Sequence, residues 1–168
     1  NGALLHRGVQ GASAHPHGGH RGLMSQYLNM DNARHDDQRE VMQASADAGV
    51  CPFDEEHLPT YHKTPTMRQG KYWTITANQW PYEYTRVHLL AIARLHVESI
   101  EDLPEGAGEE LFDHVRWAIK EFKIDFGGLA MRFGDVRHNG ASVNHLHAHI
   151  IVPAKDKPAD AKVKFKIS

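Results

Sequence analysis

The sequence predicts an α+β fold in which a mostly antiparallel sheet of five strands packs against one long helix, with a helical extension at the N-terminus. Three observations predict it. An apolar stripe of helical period runs through residues 109–122, several short apolar or alternating runs are bounded by turn residues, and no internal repeat is present. The length of 168 residues suits one domain of about 100–150 residues with an appendage.

Two helices are predicted. The long one covers residues 109–122, and its apolar stripe consists of Leu111, Val115, Ala118, Ile119 and Phe122. An earlier helix is predicted over residues 33–48, with Asp31 capping its N-terminus. The apolar side of this helix would be formed by Val41, Ala44 and Ala48.

Five segments have the pattern of β-strands: residues 71–77, 88–94, 128–133, 144–152 and 161–168. The second is short and apolar, as is typical of a buried strand. The last alternates lysines with Val163, Phe165 and Ile167, which is the pattern of a half-buried strand. The intervening segments 52–66 and 134–142 are predicted to be loops, the second polar and glycine-containing.

The chain divides into four parts. Residues 1–23 contain four histidines and six glycines without a hydrophobic period, and we interpret them as a flexible leader or an expression remnant. Residues 24–50 are predicted to be an N-terminal helical extension, and residues 51–153 the main α+β domain. Residues 154–168 are predicted to be a basic C-terminal tail or an edge strand.

The composition excludes several classes of protein. A formal net charge of −2 provides no general basic surface, so we do not expect nucleic-acid binding. The apolar runs are too short to cross a bilayer, and we expect no membrane association. One cysteine excludes an intramolecular disulfide. Together with the lack of a signal pattern, this favours a cytoplasmic location.

Three histidines alternate with apolar residues in the strand predicted at 144–152. Because neighbouring side chains on a strand point to opposite faces, His145, His147 and His149 project to one side. Imidazoles grouped in this way are costly unless their ring nitrogens find partners, which disfavours a purely structural origin. Two uses stay open. The row could coordinate a metal ion, or the middle ring could be a nucleophile flanked by hydrogen-bond donors.

The run from His145 to Ile151 resembles the signature of the histidine-triad (HIT) superfamily, in which three histidines alternate with apolar residues and two more apolar residues follow. Upstream, residues 72–103 are similar to the family's nucleotide strand, its proline-containing turn and its His-Leu-Leu strand. The sequence Cys-Pro-Phe-Asp from Cys51 is similar to the family's N-terminal Cys-x-x-Cys. The resemblance covers about residues 50–153 and implies a HIT-like catalytic domain.

The resemblance also implies an activity. A nucleotide hydrolase or nucleotidyltransferase of this type cleaves a nucleoside phosphate ester, anhydride or amidate at the α-phosphate, dinucleoside polyphosphates included. His147 would attack the phosphorus and carry the nucleotidyl group, while His145 and His149 would donate hydrogen bonds to the phosphate oxygens. No cofactor is required for this chemistry.

Contacts to a purine nucleotide are implied at four further positions. Ser142 and His88 match positions near the phosphate, and Asn78 matches the polar residue at the ribose hydroxyls. An amide suits a vicinal diol because it both donates and accepts. Trp73 is expected to form part of the base pocket, together with Trp80.

A structural zinc ion and a homodimer are two further expectations from the family. Relatives with Cys-x-x-Cys bind zinc through positions that correspond to Cys51, Asp54, His96 and His145. Aspartate in place of the second cysteine still provides an anionic ligand. Family members commonly pair through the long helix and the adjoining sheet edge, which here is the strand at 128–133.

The sequence departs from the family in the loop that precedes the triad. Many relatives carry a side-chain amide where this chain has Gly134 and Asp135, whereas Arg137 and His138 in the same loop could meet a second phosphate. Two other functions stay open on the sequence alone. The histidine row could bind zinc directly, or the domain could bind nucleotides or a partner without useful turnover.

Overall fold

The computed structural model describes the backbone of residues 24–168 and the side chains from residue 26 onward. Two short strands, β1 (Met24–Ser25) and β2 (Leu28–Asn29), form a hairpin. The main sheet comprises β3 (Thr66–Gln69), β4 (Trp73–Ala77), β5 (Thr85–Ala93), β6 (Gly128–Arg132) and β7 (His147–Pro153). These five strands lie antiparallel in the order β3-β4-β5-β7-β6, which confirms the predicted fold class. The prediction for residues 1–23 concerns a segment outside the described residues.

The two central strands divide their side chains between two environments. Leu89 pairs with Ile150, and both side chains pack into the main hydrophobic core. The next pair, Leu90 and His149, points to the opposite face of the sheet. The alternation of the sequence therefore sends the apolar core to one face and the histidines to the other.

Four α-helices accompany the sheet: α1 (Asp36–Ala48), α2 (Leu58–Tyr61), α3 (Ala107–Glu121) and α4 (Val136–Asn139). The long helix predicted at 109–122 is α3, and its Leu111 and Ala118 are buried against the core face. The predicted stripe was wrong at Ile119, which is 44% exposed. His114, three residues after Leu111, faces inward in its place. No helix within residues 24–168 has the length and apolar character needed to span a membrane.

One carboxylate joins α3 to the turn between β3 and β4. Glu110 accepts hydrogen bonds from the backbone N–H groups of Lys71, Tyr72 and Trp73 at 2.9–3.0 Å. A Cβ atom at Gly70 would lie 2.1 Å from the Glu110 carboxylate, so only glycine allows this approach. The long helix is thereby fixed to the sheet by polar contacts as well as by its apolar side.

The N-terminal extension differs from its prediction in two respects. The helix begins at Asp36 rather than at residue 33, because Asp31 lies in a separate 3₁₀ helix, Met30–Asn32. Its buried side consists of Gln38, Met42 and Ser45 instead of Val41, Ala44 and Ala48. Met42 packs in a cluster with Leu28, Met30, Cys51 and Val143. The extension therefore shares one apolar core with the segment before the triad strand.

The fifth strand of the sheet is not the predicted one. Residues 161–168 form no strand, although their alternating pattern predicted one. The fifth strand of the sheet is β3, which is the edge strand beside β4. β3 was missed because its residues are mostly exposed and show no apolar alternation. The predicted loop 134–142 also contains the short helix α4.

Candidate active site

A cavity of about 1000 Å³ lies over the histidine face of the sheet. Its walls come from five parts of the chain: the N-terminal extension, the loop after Cys51, the turn that follows β4, the loop before the triad strand, and the C-terminal segment. His147 and His149 are the two triad histidines among the lining residues. The third, His145, precedes β7 and is turned away from the cavity.

His147 is held as a single tautomer. Its Nδ1–H donates to the backbone carbonyl of His145 at 2.6 Å, which leaves the lone pair on Nε2. The ring is 8% exposed, and Phe53 packs edge-on against it with the centroids 5.1 Å apart. Burial lowers the pKa of His147 to about 4, although the hydrogen bond to His145 opposes this shift. The ring is therefore neutral near pH 7 and presents a basic nitrogen.

A chain of hydrogen bonds sets the tautomer of the neighbouring His149. The backbone N–H of Tyr82 donates to Nδ1 of His88 at 3.0 Å, so His88 carries its proton on Nε2. This Nε2–H donates to Nδ1 of His149 at 2.9 Å. The proton of His149 is then on Nε2, and this buried atom has no hydrogen-bond partner in the described structure. Burial lowers the pKa of both rings, that of His88 to about 3, so both are neutral donors.

His145 belongs to a different cluster. Its Nε2–H donates to the Ala93 carbonyl at 2.6 Å, which leaves a lone pair on Nδ1. This atom lies 3.4 Å from Sγ of Cys51 and 3.3 Å from Oδ1 of Asp54. His96 completes the group, with its Nδ1 2.7 Å from Oδ1 of Asp54. His145 therefore cannot donate a hydrogen bond to phosphate from this position. The prediction from the row of three side chains was wrong at this residue.

The four residues of this cluster fit a metal ion. One ligand atom from each of Cys51, Asp54, His96 and His145 lies within 4.8 Å of the others. Tetrahedral zinc ligands at about 2.0–2.3 Å from the ion are themselves about 3.3–3.8 Å apart, close to the distances around His145. An unprotonated ring nitrogen that faces a carboxylate oxygen at 3.3 Å also requires a cation or a proton between them. Burial raises the pKa of the Cys51 thiol to about 12, and a bound cation would offset this by favouring the thiolate.

The residues predicted to bind substrate separate into two groups. Ser142, Asn78 and His149 line the cavity, and His88 lies directly behind His149. The Asn78 amide is already used in the local turn: its oxygen accepts from the Trp80 N–H at 2.9 Å, and its nitrogen lies 3.2 Å from Nε2 of His88. Trp80 lines the cavity.

Trp73 was predicted wrongly as part of the base pocket. Its side chain is fully buried on the core face of the sheet, where the indole N–H donates to the Ala107 carbonyl at 2.7 Å. The error arises because strand composition predicts burial but does not tell which face is buried. Arg137 and His138 are likewise absent from the cavity lining, and Arg137 instead pairs with Asp135 two residues away.

Several cavity residues were not found by sequence reasoning. Arg34 lies over the Tyr82 ring at 4.5 Å and donates to the Trp80 carbonyl. Arg132, at the end of β6, lines the same space. The C-terminal segment contributes a further set: Asp160, Ala161, Lys162, Lys164, Lys166 and Ser168. The lysine alternation was visible in the sequence, but it was interpreted as the solvent side of a strand.

Comparison with known proteins identifies a family domain and a similar fold. Residues 83–156 match the family model of the HIT domain. The fold is similar to that of a hypothetical protein from Leishmania major, which is 16% identical with a TM-score of 0.53, over 72% of this chain and 84% of that one. A histidine triad nucleotide-binding protein from Candida albicans is 16% identical with a TM-score of 0.51, over 67% and 86% of the two chains. No curated protein matches the sequence.

The triad strand is the common element of these observations. It lies inside the matched HIT domain and between β5 and β6 in the five-stranded sheet, where two of its histidines line the cavity. Residues 83–156 of this chain are a HIT domain, the domain of the histidine-triad superfamily.

Proposed function

We propose that this protein is a nucleotide hydrolase or nucleotidyltransferase that acts through a covalent nucleotidyl intermediate on His147. The hydrogen bond from His147 Nδ1 to the His145 carbonyl carries the proposal. It places the lone pair on Nε2 of a ring that lines the cavity. It would also stabilise the positive charge that the ring acquires on attack.

The reaction has two steps. In the first, Nε2 of His147 bonds to the α-phosphorus, and the bond from phosphorus to the leaving group breaks with its electron pair going to the leaving group. In the second, water attacks the same phosphorus, the P–N bond breaks, and the ring regains its lone pair. The proton lost by the water passes to solvent or to the leaving group. Another nucleophile in place of water would make the enzyme a transferase.

Two neutral donors would assist the developing charge. The Nε2–H of His149 has no partner in the described structure, and a phosphate oxygen would supply one. His88 fixes this orientation through its own bond to Nδ1 of His149. His149 would therefore touch the substrate, whereas His88 would act as a positioning residue behind it.

The lining of the cavity supports a purine nucleotide as the substrate class. Its apolar and aromatic lining residues are Met42, Phe53, Tyr61, Leu90 and Trp80. Cationic residues, including Arg34 and Arg132, line the same cavity. A planar base suits the aromatic residues and phosphates suit the cationic ones.

The intermediate can be tested directly. We expect the protein, mixed with adenosine triphosphate labelled at the α-phosphate and quenched within one turnover, to carry label that is lost in acid and kept in base, as a phosphoramidate should. His138→Asn, which changes an exposed histidine outside the cavity, should retain the label. Hydrolysis without any labelled protein would contradict the covalent intermediate. Tight nucleotide binding without label or turnover would instead identify a binding module.

We further propose that Cys51, Asp54, His96 and His145 hold a structural zinc ion. Such an ion would join the loop after α1, the segment after β5 and the residue that precedes the triad strand. Its chemistry would be structural: it would neutralise the thiolate and carboxylate and fix the position of His145. Since the His145 carbonyl accepts the proton of His147, the ion would also help to fix the nucleophile.

The metal content of the purified protein tests the zinc site. We expect about one zinc per chain in protein purified without an affinity tag, as a structural site requires, and fewer than about 0.2 in Asp54→Ala. Glu56→Ala, which removes an exposed acid two residues away, should keep the metal. The comparison is needed because histidines in residues 1–23 could also bind zinc. Equal zinc in both variants would place the ion elsewhere.

We propose a homodimer formed through α3 and the edge strand β6. Only one side of β6 is paired in the described sheet, and its Leu129 is 40% exposed. On α3, Phe112 and Ile119 are exposed at i and i+7, and thus on one side of the helix. Exposed apolar side chains and an unpaired strand edge are both typical of a self-complementary interface.

Sedimentation equilibrium at micromolar concentration tests the assembly. We expect the wild-type protein to be a dimer and the double variant Phe112→Lys/Ile119→Lys to be a monomer, because the lysines would place charge in a buried interface. Leu95→Lys/Ile100→Lys alters two other exposed apolar residues and should remain dimeric. A wild-type monomer would contradict the proposal.

A further inference from the structure

We propose that residues 160–168 form a subsite for the phosphate chain of the leaving group, so that the preferred substrates are nucleotides with two or more phosphates beyond the α-phosphate. The inference rests on the proposed function, which it deepens by naming the leaving group. It follows from the position of the C-terminal segment beside His149 and from the lysines that this segment brings to the cavity.

Phe165 and Lys166 anchor the segment beside the catalytic histidines. The ring of Phe165 packs edge-on against His149, with the centroids 5.3 Å apart. The Arg132 guanidinium lies over the same Phe165 ring, 3.7 Å from its centroid. Arg132 also donates from Nε to the Lys166 carbonyl at 2.7 Å. These contacts place the segment at the cavity although it forms no strand.

Gly140 allows a close approach of two backbones on the other side of the segment. A Cβ atom at this position would lie 3.0 Å from both the Lys166 carbonyl oxygen and the Ser168 nitrogen. Gly140 has φ +77°, a conformation that glycine adopts without strain. The segment is therefore packed between the end of β6 and the loop before the triad.

Three lysines of this segment lack ionic partners. Lys162, Lys164 and Lys166 all line the cavity, and none of them forms an ion pair with any residue from 26 to 168. Arg34 and Arg132 line the same space. The cavity lining thus contains five cationic side chains and three acidic side chains, those of Asp31, Glu83 and Asp160. The excess of positive charge is local, since the whole chain has a net charge of −2.

The shape of the site favours a short phosphate chain over a polymer. The five cationic residues line a cavity of about 1000 Å³, the size of a small-molecule site. A nucleotide whose α-phosphate lies at His147 and His149 must direct its leaving group away from the sheet. The neighbouring wall on the His149 side is the lysine-bearing segment, and each further phosphate would bring negative charge to it.

Calorimetric titration of the full chain tests the subsite. All proteins carry His147→Asn, so that the ligand is not consumed. The test protein adds Lys162→Gln, Lys164→Gln and Lys166→Gln. The control protein instead adds Lys120→Gln, Lys123→Gln and Lys155→Gln, which make the same charge change at exposed positions outside the cavity. The three ligands are adenosine monophosphate, adenosine triphosphate and inorganic tripolyphosphate.

We expect the tail variant to bind adenosine triphosphate and tripolyphosphate about ten- to a hundredfold more weakly than the control variant, and the monophosphate within about threefold of it. The advantage of the triphosphate over the monophosphate should shrink in high salt, since it rests on exposed charges.

Three results would overturn the subsite. They are equal triphosphate affinity in the two variants, an equal loss for monophosphate and triphosphate in the tail variant, and no advantage of the triphosphate in the protein with unaltered lysines. Failure of the proposed function has a different signature. If tripolyphosphate binds through the lysines while no nucleotide binds more tightly than tripolyphosphate does, the subsite stands and the nucleotide substrate is wrong.

Discussion

Replacement of His147 by asparagine is expected to reduce kcat by at least about a thousandfold while nucleotide affinity changes little. Asparagine keeps a polar group of similar size at a position that is 8% exposed. It removes the ring nitrogen that would bond to phosphorus. The measurement is steady-state hydrolysis of a panel of nucleoside polyphosphates, phosphoramidates and dinucleoside polyphosphates, with binding followed by calorimetry.

The control for this experiment is His138→Asn, the same chemical change on α4 outside the cavity. It should leave kcat within about twofold of wild type. Retention of more than about a tenth of the activity in His147→Asn would rule out the covalent assignment. Inorganic phosphate, added to the same panel, separates phosphorolysis from hydrolysis.

Replacement of Trp73 by alanine is expected to lower the free energy of unfolding by about 3–5 kcal/mol. The side chain is fully buried under α3, and its loss would leave a cavity and remove the indole hydrogen bond to the Ala107 carbonyl. Denaturant unfolding measures this loss. Phe133→Ala removes an aromatic ring that is 57% exposed and should change stability by no more than about 0.5 kcal/mol.

The milder variant Trp73→Phe separates a core residue from a base-binding residue. It should retain enough stability to fold, and its nucleotide affinity should equal that of the wild type because the ring lies on the face of the sheet opposite the cavity. A tenfold loss of affinity in a stably folded Trp73→Phe would restore Trp73 to the base pocket. Trp80→Phe provides the comparison from within the cavity.

Local periodicity explains which features were predictable from sequence. The alternation of His145, His147 and His149 with apolar residues requires only neighbouring positions on one strand, so it was readable directly. The stripe of α3 is similarly local. The separate role of His145 was less accessible, because it depends on a turn of the backbone before β7 and on partners some 50 and 90 residues away.

Features that depend on strand register or on single long-range contacts were not predictable. Trp73 pairs with Ala93 on β5, and β5 in turn pairs with the triad strand β7. This register decides the face of the sheet on which Trp73 lies. The C-terminal segment is fixed by Arg132 and Phe165 rather than by a ladder of backbone hydrogen bonds. Its alternating sequence is equally compatible with a strand, and no local signal separates the two.

The contacts of the N-terminal extension impose an order on the folding of the newly made chain. The Asn29 amide donates to the Val136 carbonyl, and the Asn32 amide donates to the Ala141 carbonyl, across 107 and 109 residues of sequence. Although the extension leaves the ribosome before residues 136–141, these bonds can form only after those residues have been synthesised. One wall of the cavity therefore lacks these two bonds until most of the chain has been made, and a translation product that ends before residue 136 retains only the contacts of the extension with earlier residues, such as those of Arg34 with Tyr82 and Trp80.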